Sequence, residues 1–281
     1  MWEEPERANR LIDEYNRRFN SIVLRDDSTE GERLTLPGMA KDFSPRPHRC
    51  AAVARMLSEP AVGLFHQVGA GKTAEMVMGV MELRRLGMVN KPAVIVPNHM
   101  LEQFAREWLQ IYPQARILAA SSADLAGDKR RQFVARAAAN QWDAVIMTRT
   151  AFQRVSLSPE AEAAYINAEV IQMRAELEAV KDSGEDNGRA NASIIKRLEK
   201  AVLAQEETLK AKLDTPADPG ISFEETGIDY LVVDELHDYK NLRTPSNILG
   251  AAIQGSNRAS DLHMKTEFLR TARKRNHLRP R

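Results

Sequence analysis

Two stretches of this chain carry residue types at spacings suited to phosphate chemistry. The first, His66-Gln67-Val68-Gly69-Ala70-Gly71-Lys72-Thr73, follows a short apolar run and opens a helical pattern. That context is what a phosphate-binding loop of the Walker A kind needs. Gly69 and Gly71 can take backbone angles closed to other residues. The amides from Gly69 through Ala70 to Thr73 can then turn inward on a polyphosphate at a helix N-terminus. Lys72 would neutralise the β- and γ-phosphates, and the Thr73 hydroxyl would ligate Mg²⁺. The motif asks for glycine at its first position, where this chain has His66, read here as a plain loop residue. A glycine turn without a ligand is the blander alternative, but the flanking strand and amphipathic helix argue against it.

The second stretch, Tyr230-Leu231-Val232-Val233-Asp234-Glu235-Leu236-His237, is an apolar strand ending in two acids. Asp234 at the strand's end would reach Mg²⁺, directly or through water, and Glu235 would orient and deprotonate an attacking water. An isolated Asp-Glu pair is usually solvated surface. Its place after an apolar strand, downstream of a phosphate loop, is what gives it chemistry. The pair of motifs describes hydrolysis of a phosphoanhydride by positioning and charge stabilisation, with no covalent intermediate.

Both motifs must be held by a framework, and the pattern along the chain supplies one. Residues 6–24 and the stretch from Pro47 to Pro60 read as lead-in helices, broken by Leu36-Pro37-Gly38. Strands are then predicted at 61–65, 93–96, 116–120, 142–147 and 230–233. Helices are predicted at 73–86, from Asn98 to about Tyr112, and at 128–139. Strands alternating with helices of this length imply an α/β fold, a parallel sheet covered on both faces in three layers. One segment interrupts the rhythm. After Ser158-Pro159-Glu160, a good helix start, Ile166, Val170, Met173, Leu177 and Val180 form a heptad seam. A polar loop follows, and Ile195, Leu198, Val202, Leu209 and Leu213 resume the seam with Gln205 as a polar interruption. This predicts an inserted coiled-coil hairpin. Two readings stand for it: a packing device, or an arm that touches DNA or a partner protein.

The bulk numbers exclude several alternatives. The 281 residues are 43% hydrophobic and 28% charged, with a net charge of +1, so any nucleic-acid site must be a local patch. Cys50 is the single cysteine, which excludes an internal disulfide and a cysteine-rich zinc site and fits a reducing cytoplasm. The acidic N-terminus is no signal peptide, and the apolar runs are too short to span a bilayer. A cytoplasmic protein with no membrane partner is expected.

At this point a family resemblance enters. Asp234-Glu235-Leu236-His237 resembles the DExH box of superfamily 2 helicases and translocases, and DELHDYKNL over 234–242 is similar to the box of Snf2-type translocases. Residues 95–104, beginning Ile95-Val96-Pro97-Asn98, resemble helicase motif Ia. Residues 143–150, ending Thr148-Arg149-Thr150, resemble the following strand and its DNA-contacting turn. With Arg46-Pro47-His48, the His66–Thr73 loop and Gly255-Ser256-Asn257-Arg258-Ala259, the chain looks most like the helicase-like proteins of phages and mobile elements that are fused to DNA methylases.

The resemblance implies a RecA-like lobe that binds ATP and Mg²⁺ and contacts DNA backbone without sequence specificity. It implies that Lys72 and Thr73 bind phosphate and metal, Asp234 binds metal, Glu235 activates water and His237 couples hydrolysis to movement. It also implies that the turns at Pro97-Asn98 and Thr148-Arg149 meet DNA phosphates, although Asn98 reads equally as a simple helix cap. The family's adenine-reading glutamine is replaced by Arg49, which has no acceptor for an adenine amino group. The resemblance further implies a second RecA-like lobe, with an arginine finger, that is missing from this chain or supplied in trans. The expected division is a helical lead-in at 1–60, ATPase lobe at 61–157, helical hairpin at 158–215, the rest of the lobe at 216–270 and a basic tail at 271–281. That tail carries five Lys or Arg in eleven residues and reads either as a non-specific nucleic-acid contact or as the mark of a truncation. Two functions are therefore expected: a helicase-type ATPase, or an ATP- and DNA-binding module that hydrolyses little on its own. An unrelated kinase or GTPase fits neither the DExH box nor the absence of a guanine-reading motif.

Overall fold

A computed structural model describes residues 5–19, 25–182, 195–196, 199–200, 202–207, 210, 222–242 and 255–277. The helices are α1 (Pro5–Phe19), α2 (Ser28–Glu32), α3 (Pro47–Ser58), α4 (Lys72–Arg85), α5 (Leu101–Ile111), α6 (Lys129–Ala139), α7 (Arg149–Arg154), α8 (Pro159–Asp182) and α9 (Asn257–His277). The strands are β1 (Pro92–Val96), β2 (Ile117–Ala120), β3 (Ala144–Thr148) and β4 (Tyr230–Val233), in the spatial order β2-β3-β1-β4. Every pairing is parallel, with Val94 opposite both Ile146 and Val232.

The alternation of side chains along β1 sorts the molecule into three layers. Val94 and Val96 join Ala144 and Ile146 against Val53 of α3, Val77 and Val80 of α4, and Phe104 and Trp108 of α5. Ala93 and Ile95 face the other way, with Val145 and Met147, onto Phe133 of α6, Phe152 of α7 and Leu262 and Phe268 of α9. This is the expected α/β architecture, with helices on both faces of a parallel sheet.

Three local expectations change. The predicted strand at Ala61–Phe65 carries no ladder bonds among the described residues. Val62 and Leu64 still pack, as Tyr230 of β4 does, against the cluster of Met56, Leu83 and Val89, while Phe65 is 94% exposed. Pro60 lacks an amide donor and Gly63 has no side chain to pack, so this run follows the sheet without joining it. Consequently β4 is half-buried along its length rather than fully enclosed. Residues 257–277, where no helix was predicted, form the long α9, and Thr271–His277 continue it.

The described part of the hairpin has the expected seam. Ile166, Val170 and Met173 of α8 bury against Val202, and Leu177 is buried as well. Lys181 pairs with Glu199 at 3.5 Å, and Arg174 Nε with Glu206 at 3.1 Å. As one number rises the other falls, which makes the two arms antiparallel. The polar interruption Gln205 donates to Glu169 across the seam. Leu198, Leu209 and Leu213 lie outside the described residues. No described helix is long and apolar enough to cross a membrane.

Candidate active site

The phosphate loop is built as its glycines allow. Gly69 has φ 86° and Gly71 φ 96°, both left-handed, and α4 starts at the next residue, Lys72. A side chain at Gly71 would also collide with the Arg49 guanidinium lying over it. Three groups fasten the loop carbonyls. Arg49 Nε donates to Ala70 O at 3.0 Å, and His48 Nε2 sits 3.1 Å from the same oxygen. Lys72 Nζ folds back to donate to His66 O at 2.9 Å and Gln67 O at 3.3 Å. A lysine held by neutral carbonyls can exchange them for phosphate oxygens at little cost, because charge-assisted bonds to phosphate are the stronger ones.

Asp234 continues β4 by one residue, its amide donating to Ile95 O at 2.8 Å. Burial pushes its carboxyl above the ordinary range, and the adjacent Glu235 charge adds to this. Bonding from the Glu235 amide and the positive charges of Arg149 and Lys72 pull the other way. The Lys72 charge is thus among those felt by Asp234. A half-buried carboxylate lacking a full ion pair is suited to a divalent cation. No group of three or more His, Cys, Asp or Glu among the described residues could hold a metal alone.

The raised Asp234 value has a consequence for stability. A carboxyl whose folded pKa exceeds its unfolded one costs stability as pH rises from the unfolded value through the folded one, and the full cost is present above that range. Asp234→Asn is therefore expected to melt higher than the unsubstituted protein at neutral pH without metal or nucleotide, by roughly 2–4 °C per 1 kcal/mol relieved. The difference should shrink as the pH approaches the ordinary carboxylate range. A melting curve showing a lower transition for Asp234→Asn would overturn this.

Glu235 sits at φ 52° and ψ 51°, a left-handed conformation that costs a non-glycine residue about 1–2 kcal/mol. Strain of this kind persists where the surroundings impose it, and active sites are a common place. Its carboxylate is exposed and lies 2.9 Å from His237 Nδ1. His237 is in turn 3.5 Å from Asp238.

A family model described as a probable helicase domain matches residues 56–277. The chain belongs to that family. No curated protein matches it. Within this helicase-like domain the matched segment spans both the phosphate loop and the acidic box.

The four residues expected at a DNA contact are placed less uniformly. Asn98 does not cap a helix: Pro97 holds the cap position of the short turn at Asn98–Met100, with no side-chain cap bond. Instead Thr150 Oγ1 donates to Asn98 Oδ1 at 3.2 Å, tying the two expected DNA-contacting turns together. Asn98 is exposed and Pro97 is buried. Thr148 is 3% exposed, and its hydroxyl caps α7 by accepting from the Ala151 amide. Arg149 turns towards the acidic box and forms an ion pair with Asp238. Of the four, Asn98 alone is presented to solvent, while Arg149 joins the β3 turn to the segment after β4. The sequence alone left Arg149–Asp238, Glu75 and the loop-facing roles of His48 and Arg49 unread. Two departures from the motifs were the available signals: His66 in a position normally left to glycine, and Arg49 in place of the adenine-reading glutamine.

Proposed function

We propose that this chain is the ATP-binding lobe of a superfamily 2, DExH-type helicase or translocase that hydrolyses ATP in response to DNA. What supports the reading is a loop with left-handed Gly69 and Gly71 that opens α4 at Lys72, together with the Asp234-Glu235 pair at the carboxyl end of β4. Ligands of open α/β sheets bind beyond the carboxyl ends of the strands. Thr73, on the first turn of α4, and Asp234 would hold Mg²⁺, which when bound supplies charge neutralisation on the β- and γ-phosphates. Lys72 leaves the His66 and Gln67 carbonyls for those phosphates. Glu235 stands next to Asp234 with its carboxylate free of the core, where it orients a water for in-line attack and accepts its proton. His237 Nδ1 lies 2.9 Å from the Glu235 carboxylate, so rearranging that contact would give a route from hydrolysis to movement. Asn98 and Thr150 join the turns after β1 and β3 at the same end of the sheet, offering a backbone-contacting surface without base-reading elements.

ATP turnover by the purified chain, with and without DNA, tests this beside Glu235→Gln. DNA-stimulated hydrolysis is expected, falling at least about 100-fold in the variant while ATP binding survives. Tight ATP binding with no turnover under any DNA condition would leave the binding-module reading in its place. Absence of ATP binding would remove both.

A further inference from the structure

Glu75 lies in the first turn of α4 and is 0% exposed. Its helix neighbours Ala74, Met76 and Val77 are buried apolar residues, as a core-facing turn demands. A carboxylate in such surroundings is costly unless something pairs with it. His66 Nδ1 lies 2.8 Å from Glu75 Oε1, within hydrogen-bond distance, and His48 Nε2 lies 3.9 Å from that same oxygen. The other oxygen, Oε2, is buried with no hydrogen-bond partner among the described residues. The two imidazoles meet edge to face, 5.7 Å between centroids.

This cluster does not end in the core. The His66 carbonyl accepts from Lys72 Nζ, so a continuous line runs from buried Glu75 through His66 to the phosphate-binding lysine. On its other side His48 reaches the Ala70 carbonyl within the loop. His66 fills the position where the motif normally has glycine. A glycine there would leave the loop entrance free to turn. A histidine bonded to a buried carboxylate fixes it.

We propose that Glu75 and His66 are positioning residues for nucleotide binding: the buried carboxylate orients the imidazole and thereby the peptide that presents Lys72 and the loop to a nucleoside triphosphate. The inference rests on the reading of this loop as an ATP site. When Lys72 moves to the phosphates, the His66–Glu75 bond remains and keeps the loop entrance in register, so the ordering is done before the ligand arrives.

The test is calorimetric titration of the full chain with Mg·ATP, paired with a melting curve without nucleotide. His66→Gly, which restores the usual motif residue, is expected to weaken ATP binding about tenfold. Because the substitution also takes the nearer imidazole from the buried Glu75 carboxylate, the melting temperature should fall as well, and affinities are compared well below every transition, where each variant is folded. His66→Asn keeps a donor near the Nδ1 position and should recover most of the affinity. Glu75→Gln keeps the acceptor and should bind within about threefold of the unsubstituted chain. His66→Gly binding ATP as tightly as the unsubstituted chain, or His66→Asn failing to recover what His66→Gly loses, overturns the proposal. Lys72→Ala separates the two levels. If it binds as well as the unsubstituted chain, the ATP-site reading itself fails. If it alone loses binding while the His66 variants do not, only the positioning role fails.

Discussion

Lys72→Ala is expected to weaken ATP binding by at least about 100-fold, near 3 kcal/mol. Two losses combine in that figure. The first is the charge-assisted contact to the β- and γ-phosphates, which a methyl group cannot replace. The second is internal: Lys72 Nζ holds the His66 and Gln67 carbonyls of the loop, and without it these oxygens face the incoming phosphates unneutralised. The fold should survive, because the Lys72 ammonium contributes to loop geometry and to none of the hydrophobic clusters. Calorimetric titration with Mg·ATP and a melting curve check both halves. Affinity within a few-fold of the unsubstituted chain would refute the phosphate-loop assignment.

The second large effect concerns stability and lies away from the phosphate loop. Lys265 of α9 is 0% exposed, with Nζ donating to Phe152 O and to Asp261, each at 2.8 Å. The ammonium also sits 4.0 Å from the centroid of the Phe152 ring. Burial pulls the Lys265 pKa down, and the Asp261 carboxylate opposes it. Asp261→Ala leaves this buried cation without its counter-charge and is expected to cost about 3 kcal/mol. Lys265→Met removes the charge with the stem volume kept and should cost clearly less, since a fitting apolar residue replaces a desolvated ion. The pH dependence carries a sign. A lysine whose folded pKa lies below its unfolded one makes the unfolded state bind more protons, so stability rises as pH climbs through that window. Asp261→Ala should therefore regain stability at alkaline pH more steeply than the unsubstituted protein. Denaturant midpoints across that range decide it, and an Asp261→Ala protein as stable as Lys265→Met at neutral pH would defeat the explanation. Because Lys265 bonds the last turn of α7, this pair also anchors α9 against the element that begins with Arg149.

Much of the candidate site was legible in the residue order. A glycine-bounded Lys-Thr between an apolar run and an amphipathic helix, and an apolar strand ending Asp-Glu, are local patterns. Local patterns survive in a sequence because backbone angle and period depend on near neighbours. The same holds for β1, β2, β3 and β4, for the helices between them, and for the heptad seam of α8. The run at 61–65 misled because strand periodicity records which side chains face the core, and Val62 and Leu64 do face it. Whether the backbone then joins a ladder is a matter of partner geometry that no periodicity contains. The long α9 was missed because its residues carry weak amphipathic contrast: its inner face holds Lys265 and Asp261 along with Leu262 and Phe268, and a buried ion pair reads as surface.

What the sequence by itself determined was the chemistry available and the class of fold, because both follow from residue type and short-range spacing. Only the tertiary structure decided which side chains share an environment. It set Arg149 against Asp238 rather than outward, and placed Glu75 beneath the loop with His66 as its partner. These pairings join residues from separate elements, and burial decides their energies: a carboxylate costs little in water and much in a core. Burial is a property of the packed molecule, which is why His66 read as an ordinary loop residue until Glu75 stood beside it.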